Sequence, residues 1–288
     1  TRALLKVQDG CVNFCTYCII PYARGPVRSL PLDQALEQVR NIVRLGYREL
    51  VVTGIEISSW GADFRDGRTL KDLLAALCRA APDLRIRLGS LEPRTVDEAF
   101  CRTLSGYVNL CPQFHLSLQS GSDSVLRRMN RKYDCARYLQ SVELLRAYFP
   151  GCAVTTDLIV GFPGETEAEF RETLEFVERA KLARIHVFPY SRRKGTLADQ
   201  MEGQVEEAVK HDRARVLIEV GNRLEENYVQ GLIGTTQPVL FERTVEGGLC
   251  EGYTGQYVRV RARATPGILV PVCLKRAEGT VAYGEIGN

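Results

Sequence analysis

Leu4-Leu5-Lys6-Val7-Gln8-Asp9-Gly10-Cys11-Val12-Asn13-Phe14-Cys15-Thr16-Tyr17-Cys18 carries a short β-like run straight into a loop with three cysteines. The same change of pattern, from an apolar run of strand length to a helical period, recurs along the chain. Strands are expected at residues 4–8, 50–53, 85–89, 114–118, 154–160 and 184–188, each followed by a candidate helix. The clearest helix runs over residues 31–45, where Pro31 suits a first turn and Gly46 a left-handed stop. Six βα units with short connections require parallel strands and right-handed crossovers. The fold class is therefore α/β, and the unit count suits a partial (β/α)6 barrel, two units short of the complete eight-fold form.

A polar helical stretch over residues 205–229 then gives way to β-rich segments at 236–242, 249–253, 257–264, 268–275 and 280–285. Gly247-Gly248, Gly255, Pro266-Gly267 and Gly279 punctuate them, the pattern of a small antiparallel β-barrel. The expected division is 1–227 and 228–288, with the boundary at Asn227.

The 288 residues carry 38 Lys and Arg against 35 Asp and Glu, a net charge of +3, with 45% hydrophobic and 25% charged side chains. Such a composition excludes collagen-like, disordered and tail-like chains and leaves enough apolar residues for a sizeable core. Ten cysteines are too few for a disulfide scaffold and suit a reducing cytoplasm. No run is long enough to span a membrane, and the first residues lack the pattern of a secretion signal. The chain opens on Thr1 inside an apolar run, as a fragment of a longer protein would. With so small a net charge, a nucleic-acid partner must be argued from local patches.

Cys11, Cys15 and Cys18 form a CxxxCxxC triplet after the first strand. Four thiolates normally hold a four-iron cluster, so three leave one iron open. A zinc site, or three unrelated thiols, is the other reading, though zinc wants a fourth Cys or His nearby and the next residues supply none. The active face of an α/β barrel lies at the C-terminal ends of its strands. Unusual polar clusters fall there: the cysteines, Gly54 and Glu56, Ser90 to Arg94, Gln119 to Gly121, Gly161 to Glu165, and Pro189 to Ser191.

The triplet, with aromatic Tyr17 before its last cysteine, resembles the hallmark of the radical S-adenosylmethionine enzymes. Asp9-Gly10-Cys11 and the run from Cys18 to Gly25 resemble the methylthiotransferase branch of that family. Gly25-Pro26-Val27-Arg28-Ser29 and the run from Thr53 to Gly61 are most similar to its members acting on threonylcarbamoyladenosine beside the tRNA anticodon. The small barrel is similar to that family's TRAM domain, an OB-like RNA-binding module. The resemblance implies a 4Fe-4S cluster on Cys11, Cys15 and Cys18 whose open iron chelates S-adenosylmethionine, a second 4Fe-4S cluster in an N-terminal domain outside these residues, and methylthiolation at adenine C2. It implies cofactor contacts from Gly54 and Glu56 (amino group), Ser90 and Gln119 (ribose and methionyl part), Arg131 (a carboxylate), Asp157 and Gly161 (close backbone approach to adenine) and Pro189. Partners would be a tRNA anticodon stem-loop and an electron donor such as flavodoxin or ferredoxin, with no membrane and a monomeric chain. Methylthiolation of a ribosomal-protein aspartate, and an RNA-binding module with a structural metal, are the alternatives.

In Tyr257-Val258-Arg259-Val260-Arg261-Ala262-Arg263-Ala264, period-two alternation puts Arg259, Arg261 and Arg263 on one face. With Lys275, Arg276 and the aromatics Tyr253 and Tyr257, this basic stripe suits a phosphate backbone and stacked bases. A solvated strand face is the plain alternative. Arg192-Arg193-Lys194 adds a basic patch at the barrel mouth. The other cysteines (Cys78, Cys101, Cys111, Cys135, Cys152, Cys250 and Cys273) lack ligand spacing and read as small buried thiols. His115 and His186 alternate within strands and can face the barrel interior as structural histidines, and His211 adds no ligand spacing.

Overall fold

In the computed structural model, which describes residues 1–287, period-two alternation sorts the side chains of each early strand onto two faces. The chain runs β1 (Arg2–Asp9), α1 (Ile20–Arg24), β2 (Arg28–Ser29), α2 (Leu32–Arg44), β3 (Glu49–Gly54), α3 (Leu70–Ala80), β4 (Arg85–Leu88), β5 (Ser90–Leu91) and α4 (Glu98–Leu104). There follow β6 (Gln113–Leu116), α5 (Asp123–Arg128), α6 (Cys135–Tyr148), β7 (Ala153–Val160), α7 (Glu167–Ala180), β8 (Arg184–Pro189) and α8 (Glu207–Gly231). All six expected strands are present. They pair in parallel in the order β1-β3-β4 and β6-β7-β8. Ile86 of β4 bridges Leu110, just before β6, and so carries the curl from one sheet to the other.

Leu5, Val7, Leu50, Val52, Ile86, Phe114, Leu116, Val154 and Leu158 point outward beneath the helices and form the core, each 3% exposed or less. Their alternates line a lumen that is polar and open on one side. β1 and β8 do not pair, and Leu4 on β1 is 73% exposed. Two short strands go beyond the expected six. β2 pairs antiparallel with the end of β1, and β5 pairs in parallel with β6. Helix starts follow capping chemistry, most fully at α7, where Thr166 and Glu169 form a reciprocal capping box.

The C-terminal segment forms β9 (Thr236–Val245), β10 (Leu249–Thr254), β11 (Arg259–Ala262), β12 (Leu269–Glu278) and β13 (Val281–Ile286), closed in the order β10-β11-β13-β12-β9. The barrel is not wholly antiparallel as expected, because β11 and β13 pair in parallel. Closure brings the third strand beside the fifth with the same chain direction, and that seam removes the last free edge. Helix α8 runs through Asn227 without a break, and Val229 and Leu232 already belong to the small barrel's core.

The two barrels meet at the N-terminal ends of the parallel strands. Glu49, fully buried, takes Arg85 and Arg87 from β4 and Arg2 from β1. The two β4 guanidinium groups also donate to main-chain carbonyls of the small barrel, Arg85 to Tyr253 (3.2 Å) and Thr254 (3.2 Å), Arg87 to Gly255 (2.8 Å). Tyr253 and Tyr257 belong to this junction. They stack on each other with centroids 4.7 Å apart, and Arg2 lies over both rings. The expectation that these tyrosines offer open faces to RNA bases is therefore corrected, since the attraction between guanidinium and ring has turned them inward. Among the described residues no helix is long and apolar enough to cross a membrane.

Burial alone would raise the Glu49 carboxyl, but Arg87, Arg85 and Arg2 outweigh it and hold the group below the usual range. Its contribution to stability is accordingly present at neutral pH and is lost as pH falls through the depressed value. Glu49→Gln leaves Arg85 and Arg87 without their anion, while Arg2 keeps Glu242, and is expected to cost about 3–5 kcal/mol, read from urea unfolding at neutral pH. The deficit should narrow in acid.

Candidate functional site

The cysteine loop leaves β1 through Gly10, whose φ of +78° suits glycine and where a Cβ would lie 1.9 Å from the Pro26 carbonyl oxygen. The loop is pinned along its length. Cys11 N–H donates to the Gly25 carbonyl (3.1 Å), Thr16 N–H to Met129 (3.1 Å), Thr16 Oγ1 to Arg128 (2.9 Å), and Asn130 Nδ2 to Phe14 (2.8 Å). The thiols of Cys11, Cys15 and Cys18 are half-buried on this fixed loop. Burial pushes Cys11 and Cys18 up, and the neighbouring thiols push them further. Arg131 Nη1 donates to Cys15 Sγ at 3.1 Å and its Nε to the Tyr133 hydroxyl at 2.8 Å.

Among the described residues no three His, Cys, Asp or Glu side chains stand gathered as a finished metal site. The donor chemistry nonetheless fits an iron–sulfur cluster. Three soft thiols share one loop, and their mutual repulsion when ionised is of the kind that a cationic centre relieves. The remaining cysteines form no comparable group. All except half-buried Cys273 are buried, and burial raises Cys78 to about 12 and Cys101 to about 11, which leaves both as unreactive thiols.

Beside the loop a cleft of about 290 Å³ is lined by Tyr17, Gln119, Asp157, Phe188, Pro189 and Arg193, among others. Gln119, Asp157 and Pro189 are thus brought to one place. Gln119 holds a left-handed φ of +74°, fixed by its N–H on the Asp157 carbonyl (2.9 Å) and by Ile159 N–H on its own carbonyl (2.9 Å). Glu56 and Arg131 sit instead against the cysteine loop. Glu56 lies 3.4 Å from Asn13 Nδ2 and is raised by burial, with a further push from Glu92. Arg131 shares a small hollow with Cys15 and Glu92. Ser90 is exposed on β5 and does not line the cleft. At Gly54 a Cβ would lie 2.7 Å from the Gln8 carbonyl oxygen, so that glycine serves the close approach of β1 and β3.

Gly161 has a φ of +69°, and the space that a Cβ would take is filled by Lys210 Cγ, 2.3 Å away on α8. The glycine permits a close approach between loop and helix. Lys210 is 2% exposed, and its ammonium lies over the ring of Tyr190. Phe188, 52% exposed at the cleft wall, was not singled out from sequence, although the alternation that placed His186 on the lumen face places Phe188 there too. His115 and His186 do face the interior, with ring centroids 6.1 Å apart. His115 Nδ1 meets Thr155 Oγ1 at 3.0 Å.

In the small barrel the alternation of β11 holds, with Val260 and Ala262 buried and Arg259 and Arg261 half-buried on the other face. Arg263 beyond it is exposed. The stripe is partly compensated by the chain itself. Glu251, directly across from Arg261, accepts from Arg261 (2.9 Å) and from Arg243 (2.7 Å), and Lys275 lies 3.9 Å from Glu285.

The sequence matches the radical SAM superfamily over residues 5–177. It is 42% identical over 90% of its length to the threonylcarbamoyladenosine tRNA methylthiotransferase MtaB of Thermotoga maritima, and 40% identical over 92% to that of Bacillus subtilis. A tRNA-2-methylthio-N(6)-dimethylallyladenosine synthase of Fusobacterium nucleatum is 39% identical over 77% of the chain. The chain spans 59%, 60% and 51% of these three relatives' own lengths. Among solved structures, the fold is shared with the radical S-adenosylmethionine methyltransferase TsrM of Kitasatospora setae (TM-score 0.58, 18% identity, 68% of this chain and 38% of that one). It is shared also with the coproporphyrinogen III oxidase HemN of Escherichia coli (TM-score 0.55, 18% identity, 81% and 54%). With the cysteine loop, the six parallel strands and these matches together, the chain belongs to the radical SAM superfamily.

Proposed function

We propose that this chain is the catalytic and RNA-binding part of a tRNA methylthiotransferase acting on N6-threonylcarbamoyladenosine at adenine C2. The observation that carries the reading is a fixed three-cysteine loop beside a cleft at the strand ends, on a chain with a basic-faced small barrel appended. The threonylcarbamoyl substrate is favoured over the dimethylallyl one because similarity to the MtaB relatives extends over 90–99% of the chain against 77–84%.

Cys11, Cys15 and Cys18 would hold a 4Fe-4S cluster, which when bound supplies the electron that cleaves the sulfonium of S-adenosylmethionine. Arg131 donates to Cys15 Sγ and sets its positive charge against the cluster loop. Tyr17, Phe162 and Tyr190 meet edge to face, with centroids 6.4 Å and 5.4 Å apart, and wall one side of the cleft against water. Gln119 and Asp157 offer the cleft fixed polar groups. Arg259, Arg261, Arg263 and Lys275 would meet the phosphates of the anticodon stem-loop, with exposed Arg263 contributing most, because Glu251 already holds Arg261. Arg192 is turned to Asp199, which leaves Arg193 at the mouth for a phosphate. A flavodoxin or ferredoxin would deliver the electron.

After anaerobic reconstitution with iron and sulfide, dithionite and S-adenosylmethionine are expected to yield 5′-deoxyadenosine. Cys15→Ala should lower the yield at least a hundredfold while leaving the thermal unfolding midpoint within a few degrees. A full iron complement in that variant, or zinc alone in the native protein, overturns the cluster assignment. Arg263→Ala should weaken binding of a tRNA anticodon stem-loop several-fold and reduce the slope of log K against log salt by about one. An unchanged slope returns the stripe to a solvated strand face.

A further inference from the structure

Below the cleft a line of side chains runs up the lumen from the junction of the two barrels. Arg87 Nη1 donates to the Gly255 carbonyl (2.8 Å) and to Gln113 Oε1 (3.3 Å). Gln113 Nε2 donates to Thr155 Oγ1 (3.2 Å), and Thr155 Oγ1 meets His115 Nδ1 (3.0 Å). His115 Nε2 faces Asp157 Oδ2 at 3.3 Å. The direction of each bond follows from its neighbour. Arg87 is only a donor, so it takes the oxygen of the Gln113 amide and turns the NH2 to Thr155. The Thr155 hydroxyl accepts that bond, and with the ring proton on Nε2, toward a carboxylate that only accepts, Nδ1 takes the hydroxyl proton.

Asp157 ends the line with its side chain 34% exposed at the cleft. His115 Nε2 is buried and makes no hydrogen bond within the chain, and Asp157 Oδ2 is the carboxylate oxygen it faces. One carboxylate oxygen is therefore faced from below at 3.3 Å by the imidazole, and the other is left for a donor that comes from the cleft. Asp157 also neighbours His186 on β8, and two residues on, Phe188 presents an exposed ring to the same space. This side of the lumen is the open one, between unpaired β1 and β8.

Resting on the reading of an RNA substrate, we infer that His115 is a positioning residue. It fixes Asp157 so that the carboxylate accepts the exocyclic N6–H of the substrate adenine, while Phe188 provides the face on which the ring lies. A carboxylate only accepts, and N6 is the donor on that edge of adenine, with one N–H remaining when N6 carries a substituent. Stacking of the base on an aromatic ring is the usual companion of such a contact in RNA recognition.

The test compares two anticodon stem-loop RNAs, one with adenosine beside the anticodon and one with purine riboside there, which lacks the N6 amine. The native protein is expected to bind the adenosine RNA about tenfold more tightly, as suits a hydrogen bond to a charged group. His115→Leu should bring the ratio to about one, and His115→Gln, whose amide N–H reaches toward the same oxygen, should restore most of it. Phe188→Leu should weaken both RNAs alike and keep the ratio. A ratio unchanged in His115→Leu, or lost equally in the Leu and Gln variants, overturns the positioning role while the RNA reading stands. Failure of the native protein to bind either RNA overturns both.

Discussion

One buried carboxylate organises the base of the molecule. Glu49 is withdrawn from water at the start of β3 and compensated by guanidinium groups from β1 and β4. A charge so placed is costly unless its hydrogen bonds are complete, and here two of the arginines also reach carbonyls of the second barrel. The ion cluster therefore serves three strands and an interdomain contact at once. Replacing it with apolar residues would keep the packing, but it would take the arginine donors from the carbonyls of Tyr253 and Gly255 and leave Thr254 with the Tyr257 N–H alone.

With its base fixed, the opposite end of the sheet is free to carry strain and chemistry, the usual division in barrels of this kind. The left-handed residues Phe14, Gln119 and Asn130 all lie at that end, on or beside the cysteine loop and cleft. Each is held by a main-chain or side-chain hydrogen bond from another segment. Such conformations persist only where the surroundings over-determine them, and the dense pinning of the loop supplies that condition.

The sequence was most legible where one local rule sufficed. Period two placed all six parallel strands and both lumen histidines, and the spacing of Cys11, Cys15 and Cys18 marked the loop. It was least legible where a residue's role depends on a partner far along the chain. The packing of Gly161 against Lys210 of α8 has no local signature. Tyr253 and Tyr257 look like stacking platforms until Arg2 closes over them, and Arg261 looks like a free cation until Glu251 pairs across the ladder. The parallel seam of β11 and β13 is a property of closure, and no single strand's pattern encodes it.

Helix α8 joins the two ends. Its 25 residues span about 37 Å, from Lys210 and Arg213 behind the loop at the strand ends to Val229 in the core of the small barrel. It works as the arm of a caliper whose jaws are the cleft and the basic-faced barrel. A molecule the size of a mononucleotide is too short to touch both jaws, so whatever engages the two together must match the separation that the helix sets.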